Sequence, residues 1–307
     1  MRHFLDLADW TSEEIQQLID LAVDLKRELR NGGNQPLLRG KILSMVFQKP
    51  SLRTRVSFEV GMQQLGGTAI NMLPDEIGFG KRESIADIAR VLAGYTHIIM
   101  ARVFAHAHVV ELAKWAGVPV INGLSDTHHP CQAMADVLTI RERLGDVRGV
   151  RVAYVGDGNN VATSLVHAVA HLGGHFVIGT PVGYELDGQF MEAVSELAEK
   201  NGGSFHAVND PREAAADADV IYTDTWVSMG QEAEMERRLR DFEGWQVNSD
   251  LVKLARRHAI VMHCLPAHRG VEITDEVADG AQSAVFQQAE NRLHAQKAIL
   301  VTLLDTA

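Results

Sequence analysis

The sequence predicts an α/β fold of two domains, each a mainly parallel sheet flanked by helices. Three observations predict it. The chain has 307 residues, enough by length for about two domains. Apolar residues make up 46% and charged residues 22%, a globular balance that argues against disorder. Strand-like apolar runs alternate with helical ones along nearly the whole chain, the pattern of parallel strands joined by crossover helices.

The elements follow in order. Thr11 and Glu14 stand at capping-box spacing, and Ile15, Leu18, Ile19, Ala22 and Leu25 recur at helical period behind them, which predicts a surface helix packed by one face. "KILSMVF" then reads as a strand leading to a helix from Ser51, "TAINM" leads to the helix "SIADIARVLAGY", and "HIIMARV" leads to "HVVELAKWAG" and the strand "VPVING". A long helix from about Pro130 to Leu144 stops at "LGDVRG", where Gly145 and Gly149 bracket a turn. The junction is placed there, giving a first domain over 1–145. The pattern restarts with "VRVAYVGDG", "HFVIGT", "DVIYTDT" and "AIVMHCL" as strands of a second domain over 146–284. The last run, "SAVFQQAENRLHAQKAILVTLL", forms a third segment over 285–307, amphipathic and long enough to pack back across another part of the molecule.

Composition excludes several classes of function. A net charge of -11 repels nucleic acid and anionic lipid over most of the surface, so a local cluster of cations points to a small anion. Two cysteines, Cys131 and Cys264, are too few for a disulfide framework or a thiolate zinc site. No apolar run approaches membrane-spanning length, and "MRHFLDLADWTSEEI" carries charges where a signal peptide needs an apolar region. The expected compartment is the cytoplasm, with no membrane or nucleic-acid partner.

The cations gather in "FQKPSLRTRVSFE", where a strand gives way to a helix. Ligands of open α/β sheets sit at the carboxyl ends of strands, and a helix N-terminus there offers free N–H groups and a favourable dipole for an anion. Ser51 can cap this helix and Thr54 adds a hydroxyl one turn in. Arg53 and Arg55, two apart, fall on opposite sides of the helix and so do different work: one binds ligand and the other braces structure. Arg102 ends the run "IIMARV", as a ligand group or as a surface charge. In "HHPCQ", His129 and Gln132 straddle Pro130 at a helix start, where the histidine either donates to a carbonyl oxygen or caps the helix. Cys131 reads as a small buried residue.

The second half offers other groups. "VGDGNN" follows a strand and precedes a helix, but Val161 stands where a dinucleotide fingerprint has its third glycine, and no acid ends the next strand. The turn instead presents Asn159 and Asn160 as neutral donors and acceptors. "DTWVSMG" offers Asp224, Ser228 and Met229, with Asp224 either an ammonium ligand or an ordinary loop carboxylate. "MHCLPA" puts Cys264 at a strand mouth, as a ligand contact or a thiolate nucleophile, though no orienting Cys-His arrangement is visible from the spacing.

"SLRTR", "HHPCQ", "DTWVSMG" and "HCLPA", in this order across nearly the full length, resemble the ornithine branch of the aspartate/ornithine carbamoyltransferases. The resemblance implies two α/β domains joined by interdomain helices, the last helix returning to the first domain, and a homotrimer or a multiple of trimers with active sites near subunit boundaries. It implies that carbamoyl phosphate meets Ser51, Leu52, Arg53, Thr54, Arg102, His129, Gln132 and Arg292. Leu52, where relatives more often have threonine, would supply a backbone N–H. L-Ornithine would be held by Asn160, Asp224, Ser228 and Met229, with Cys264 and Leu265 at the junction of the two substrates and counted among the carbamoyl phosphate contacts. Arg102, His129, Asp224 and Cys264 are the expected catalytic residues.

The implied reaction needs no metal, no cofactor and no covalent intermediate. The neutral δ-amino group attacks the carbonyl, Arg102, His129 and Thr54 stabilise the oxyanion, and phosphate leaves aided by Arg53. Asp224 would favour the α-amino cation while leaving the reactive nitrogen free to lose its proton. Gly78 stands where many relatives have a glutamine that reaches the neighbouring subunit's site; either Lys81 or Arg82 substitutes, the reading preferred here, or the site works without that contact. Rival readings are a carbamoyltransferase for another amine, such as putrescine or an acylated ornithine, and a catalytically silent anion-binding homologue.

Overall fold

The structure is a computed structural model that describes residues 1–73, 77–78, 83–227 and 232–305. It divides into two compact units, Met1–Leu138 with Glu290–Ala307, and Thr139–Ala289. The helices Pro130–Leu144 and Val285–Asp305 each contain a boundary between the units.

The first unit is built on β1 (Ile42–Phe47), β2 (Thr68–Met72), β3 (Ile98–Arg102) and β4 (Val120–Leu124), in the order β2-β1-β3-β4. All three pairings are parallel. Every residue of β3 is buried, as expected of a strand covered on both faces. Val46, Ile99 and Val120 pack with Ile88, Val109 and Leu112 from the helices, each contributing about 1.5–3 kcal/mol on full burial. The N-terminal helix Ser12–Arg30 has the expected capping box, and Ile15, Leu18, Ile19, Ala22 and Leu25 form its buried face. Ahead of it, Phe4 N donates to Val120 O and Phe4 O accepts from Asn122 N, both at 2.8 Å, covering part of the free edge of β4.

Within this unit the end of the last helix is held by buried lysines. Lys297 Nζ donates to Asn34 Oδ1 at 2.6 Å and Gln64 Oε1 at 3.0 Å, and Lys26 Nζ donates to Asn291 Oδ1 at 2.6 Å. Burial pushes the Lys297 ammonium down to about 8.

The second unit holds β5 (Arg151–Val155), β6 (His175–Gly179), β7 (Ser204–Val208), β8 (Val220–Thr223) and β9 (Ile260–His263), in the order β7-β6-β5-β8-β9. These pairings are parallel too. Val155, Val177, Ile221 and Val261 pack against Trp226, Phe242 and Trp245. β7 lies outside the strands expected from sequence. It is an edge strand with every residue at least partly exposed, so "SFHAV" lacks the continuous apolar run of its neighbours.

Candidate active site

In an open parallel sheet, a crevice forms at the carboxyl ends of the strands where the order reverses. In the first unit this point lies between β1 and β3. Phe47 and Arg102, at the ends of these strands, are partners in register, and Gln48 N donates to Arg102 O at 2.8 Å. The β3–β4 register shifts between Ala101 and Arg102, a bulge of the kind that re-aims a side chain. Gly123 sits beside it, where a Cβ would stand 2.5 Å from Met100 Sδ.

Beyond β1, Ser51 is the N-cap of the helix Leu52–Gln64, and its Oγ accepts from Thr54 N at 3.3 Å. The free N–H groups of this first turn and the positive helix end therefore lie at the mouth of β1. Arg292 joins two separate segments there, donating to Gln132 Oε1 at 2.8 Å and Thr54 Oγ1 at 3.2 Å. Gln132 donates in turn to Asp136 Oδ1 at 2.8 Å. Thr54, Arg102, His129, Gln132 and Arg292 are all buried. His129 is held well below its usual pKa by burial, then by Arg292, Arg102 and Arg53, so it is a neutral imidazole with one N–H to donate. Its carbonyl accepts from Gln132 N and Ala133 N, fixing the backbone at the start of the next helix.

The two nearby arginines separate as expected. Arg53 contributes to the field at His129, whereas exposed Arg55 pairs with Glu59 at 3.1 Å on the same helix. Leu52 is 76% exposed. Cys131 is buried, and burial pushes its thiol up to about 12, which removes it as a nucleophile at neutral pH.

The second sheet reverses between β5 and β8, and Asn159, Asp224 and Cys264 converge there. Thr223 Oγ1 donates to Val155 O at 2.7 Å, tying the two strand mouths together. Beyond β5, Gly158 allows a close backbone approach: an added Cβ would lie 2.6 Å from Tyr184 O. Asn159 caps the helix Asn160–His171 and donates through Nδ2 to Asp224 Oδ2 at 2.8 Å. Cys264 Sγ donates to Asp224 Oδ1 at 3.0 Å. Asp224 is thus held at both oxygens, one from the β5 mouth and one from the β9 mouth. Asn160 is the first residue of the helix and partly exposed.

Leu265 has φ +57°, a left-handed backbone that is uncommon for a branched side chain. Its N–H donates to His263 Nδ1 at 2.9 Å, so His263 carries its proton on Nε2 and donates to Glu272 Oε1 at 3.1 Å, both side chains fully buried. Asp224, His263 and Cys264 each have a potential metal-ligand atom within 4.8 Å of the others'. Those hydrogen bonds occupy both ring nitrogens of His263, leaving a poor donor set for a metal.

Ser228 and Met229 lie outside the described residues, as do Lys81 and Arg82. Gly78 has φ +56°, in the left-handed region that favours glycine.

Several groups were not singled out from sequence. Buried Arg238 donates to Asp157 Oδ2 at 2.7 Å, to Trp226 O at 3.0 Å and to Glu234 Oε2 at 3.1 Å, and burial raises the Asp157 carboxyl. Gln288 links His263 N, accepted at 2.9 Å, to the Tyr222 hydroxyl at 3.0 Å. Asn159 was expected as a neutral donor and acceptor in a turn; its place directly before a helix is the N-cap signal that could have marked its second role.

Comparison with known proteins agrees with this arrangement. Residues 2–142 match the family model for the aspartate/ornithine carbamoyltransferase carbamoyl-P binding domain, and residues 148–303 match that for the Asp/Orn binding domain. The chain is 52% identical to the ornithine carbamoyltransferase of Anoxybacillus flavithermus, over 99% of this chain and 96% of that one. It is 54% identical to the anabolic ornithine carbamoyltransferase of Pyrococcus furiosus, with the same coverage. A solved structure of ornithine carbamoyltransferase from Pyrococcus furiosus superposes with a TM-score of 0.97 at 53% identity, over 100% of this chain and 98% of that one. Matches to both domains of one family, high identity over nearly the full chain and the superposition lead to one conclusion: the chain belongs to the aspartate/ornithine carbamoyltransferase family.

Proposed function

We propose that this chain transfers the carbamoyl group of carbamoyl phosphate to the δ-amino group of L-ornithine, giving L-citrulline and phosphate. The observation that carries the reading is the geometry at the β1 mouth, where buried Arg292 joins Gln132 to Thr54 in the first turn capped by Ser51, with Arg53 and Arg102 adding positive charge near buried His129. Three cations and a helix N-terminus suit a phosphate dianion, and a neutral imidazole N–H suits a carbonyl oxygen. The high identity to enzymes named ornithine carbamoyltransferase supports the choice of acceptor.

On this reading, Ser51, the Leu52 N–H, Arg53 and Thr54 receive the phosphate, with Gln132 and Arg292 completing that half. Arg102, His129 and Thr54 stabilise the oxyanion that forms as the δ-amino group attacks, the kind of preorganised donor set that lowers such barriers most. Asn160 and Asp224 hold ornithine, with Ser228 and Met229 as further contacts. Cys264 and Leu265 line the place of bond formation. The nucleophile is the free amine, so no enzyme-bound carbamoyl group forms. The enzyme is read as cytoplasmic and biosynthetic, and as a homotrimer or a multiple of trimers.

The test is citrulline formation from carbamoyl phosphate with ornithine, aspartate or putrescine as acceptor. Ornithine should be far the best, with a rate that rises with pH as the δ-amino group loses its proton. Equal turnover with putrescine would overturn the assignment of Asp224 and Asn160, and no citrulline would mean a silent homologue. Light scattering tests the trimer.

A further inference from the structure

We propose that Asn159 is a positioning residue for the amino-acid substrate: its side-chain amide holds the Asp224 carboxylate in its binding pose. The inference rests on the ornithine reading above and adds a residue to it.

The hydrogen bonds around Asn159 leave its amide one orientation. Its Oδ1 accepts from Val161 N at 2.9 Å, from Ala162 N at 3.1 Å and from the Tyr154 hydroxyl at 3.2 Å. A flipped amide would set its NH2 against the two backbone N–H groups, so the oxygen must face the helix and the nitrogen must face Asp224. Nδ2 is 2.8 Å from Asp224 Oδ2. The donor is thus fixed by groups that belong to the scaffold: the first turn of the helix Asn160–His171 and the fully buried Tyr154 of β5.

Among the described residues, the hydrogen bonds to Asp224 come from two neutral side chains. Asp224 follows β8 directly, and its other oxygen takes the Cys264 thiol at 3.0 Å, a weak donor. Around it, among the described residues, stand Asp157, Tyr154, Cys264 and His263, with Arg238 turned to the Asp157 carboxylate at 2.7 Å. The amide of Asn159 is the strong, rigidly held donor of the set. An N-cap asparagine therefore does two things with one side chain, starting a helix with its oxygen and aiming a carboxylate with its nitrogen.

These two roles are separable by substitution. Asn159→Asp and Asn159→Ser keep good N-cap oxygens. Neither supplies the amide N–H: aspartate turns an acceptor oxygen toward Asp224, and serine is too short to reach it. If Asn159 only caps the helix, both variants behave as the parent. If it positions Asp224, both raise the ornithine KM by about tenfold or more, the usual worth of a hydrogen bond to a charged group, and the Asp variant is the worse because like charges face each other. The carbamoyl phosphate KM stays within about twofold of the parent and both variants melt cooperatively near the parental temperature.

A folded Asn159→Asp variant with parental ornithine KM overturns the proposal. So does an equal rise in both KM values, which would mean general distortion, or loss of cooperative melting in both variants, which would make Asn159 a folding residue. Parental protein that makes no citrulline removes the ornithine reading itself, and with it this inference, before any variant is compared.

Discussion

The two crevices solve opposite electrostatic problems in the same way. In the first unit, a buried arginine is oriented by neutral oxygens: Arg292 is held by Thr54 Oγ1 and Gln132 Oε1, with the nearest acid of that chain, Asp136, one hydrogen bond further back. In the second unit, a buried carboxylate is oriented by neutral donors, the Asn159 amide and the Cys264 thiol. Neutral partners of this kind orient a charged group without cancelling its charge. The cost is burial of charge, normally unfavourable by several kcal/mol per ion before compensation.

If this division is right, damage to one crevice should be read out in one substrate. The largest effect is expected for Arg102→Leu, which should lower kcat by about a hundredfold or more, the cost of one preorganised oxyanion donor. A folded variant with unchanged turnover would place Arg102 outside the site. Next, Asp224→Asn should raise the ornithine KM by about ten- to a hundredfold and leave the carbamoyl phosphate KM near parental. A matching rise in both would break the comparison. Cys264→Ala should reduce turnover or ornithine binding by about tenfold at most, with citrulline still formed. Mass spectrometry should find no carbamoylated thiol in the parent enzyme, and trapping one on the reaction path would make Cys264 a nucleophile.

Stability sharpens the comparison further. His129 binds its proton more weakly folded than unfolded, so the unfolded state takes up more protons as pH falls through the unfolded value, about 6.5. Stability contributed by neutral His129 is complete above that range and declines below it. Chemical denaturation at several pH values should show the parent losing stability between about pH 7 and 5 more steeply than His129→Gln; parallel curves would contradict a buried neutral imidazole. The smallest effect belongs to Arg55→Ala. Its exposed pair with Glu59 is worth about 0–1 kcal/mol, and carbamoyl phosphate affinity should not change, whereas Arg53→Ala should weaken it.

What was legible in the sequence follows from distance along the chain. β1, β3, β5 and β8 are continuous apolar runs because both of their faces are covered, and such runs announce themselves locally. β7 did not, since an exposed edge strand can be half polar. Caps were legible for the same reason: Ser51 and Thr54, or Thr11 and Glu14, are three residues apart. The partners of the site's charges were not. Arg292 meets Gln132 across 160 residues, Arg238 meets Asp157 across 81, and Asn159 meets Asp224 across 65. No local pattern encodes such a pairing. The individual residues on the anion side could be named through family resemblance, but which of them touch, and that the Asn159 amide faces Asp224, required the fold.

The return of the last helix to the first unit bears on how the protein is made. Thr54 and Gln132 leave the ribosome early, but Arg292, which joins them, is 160 residues downstream of Gln132. At about 5–20 residues per second, a growing chain spends roughly 8–32 seconds with its first crevice lacking that arginine. The second unit, continuous from Thr139 to Ala289, has no such wait. The second unit is complete at Ala289, three residues before Arg292, so the first crevice gains that arginine only once the whole second unit has been synthesised.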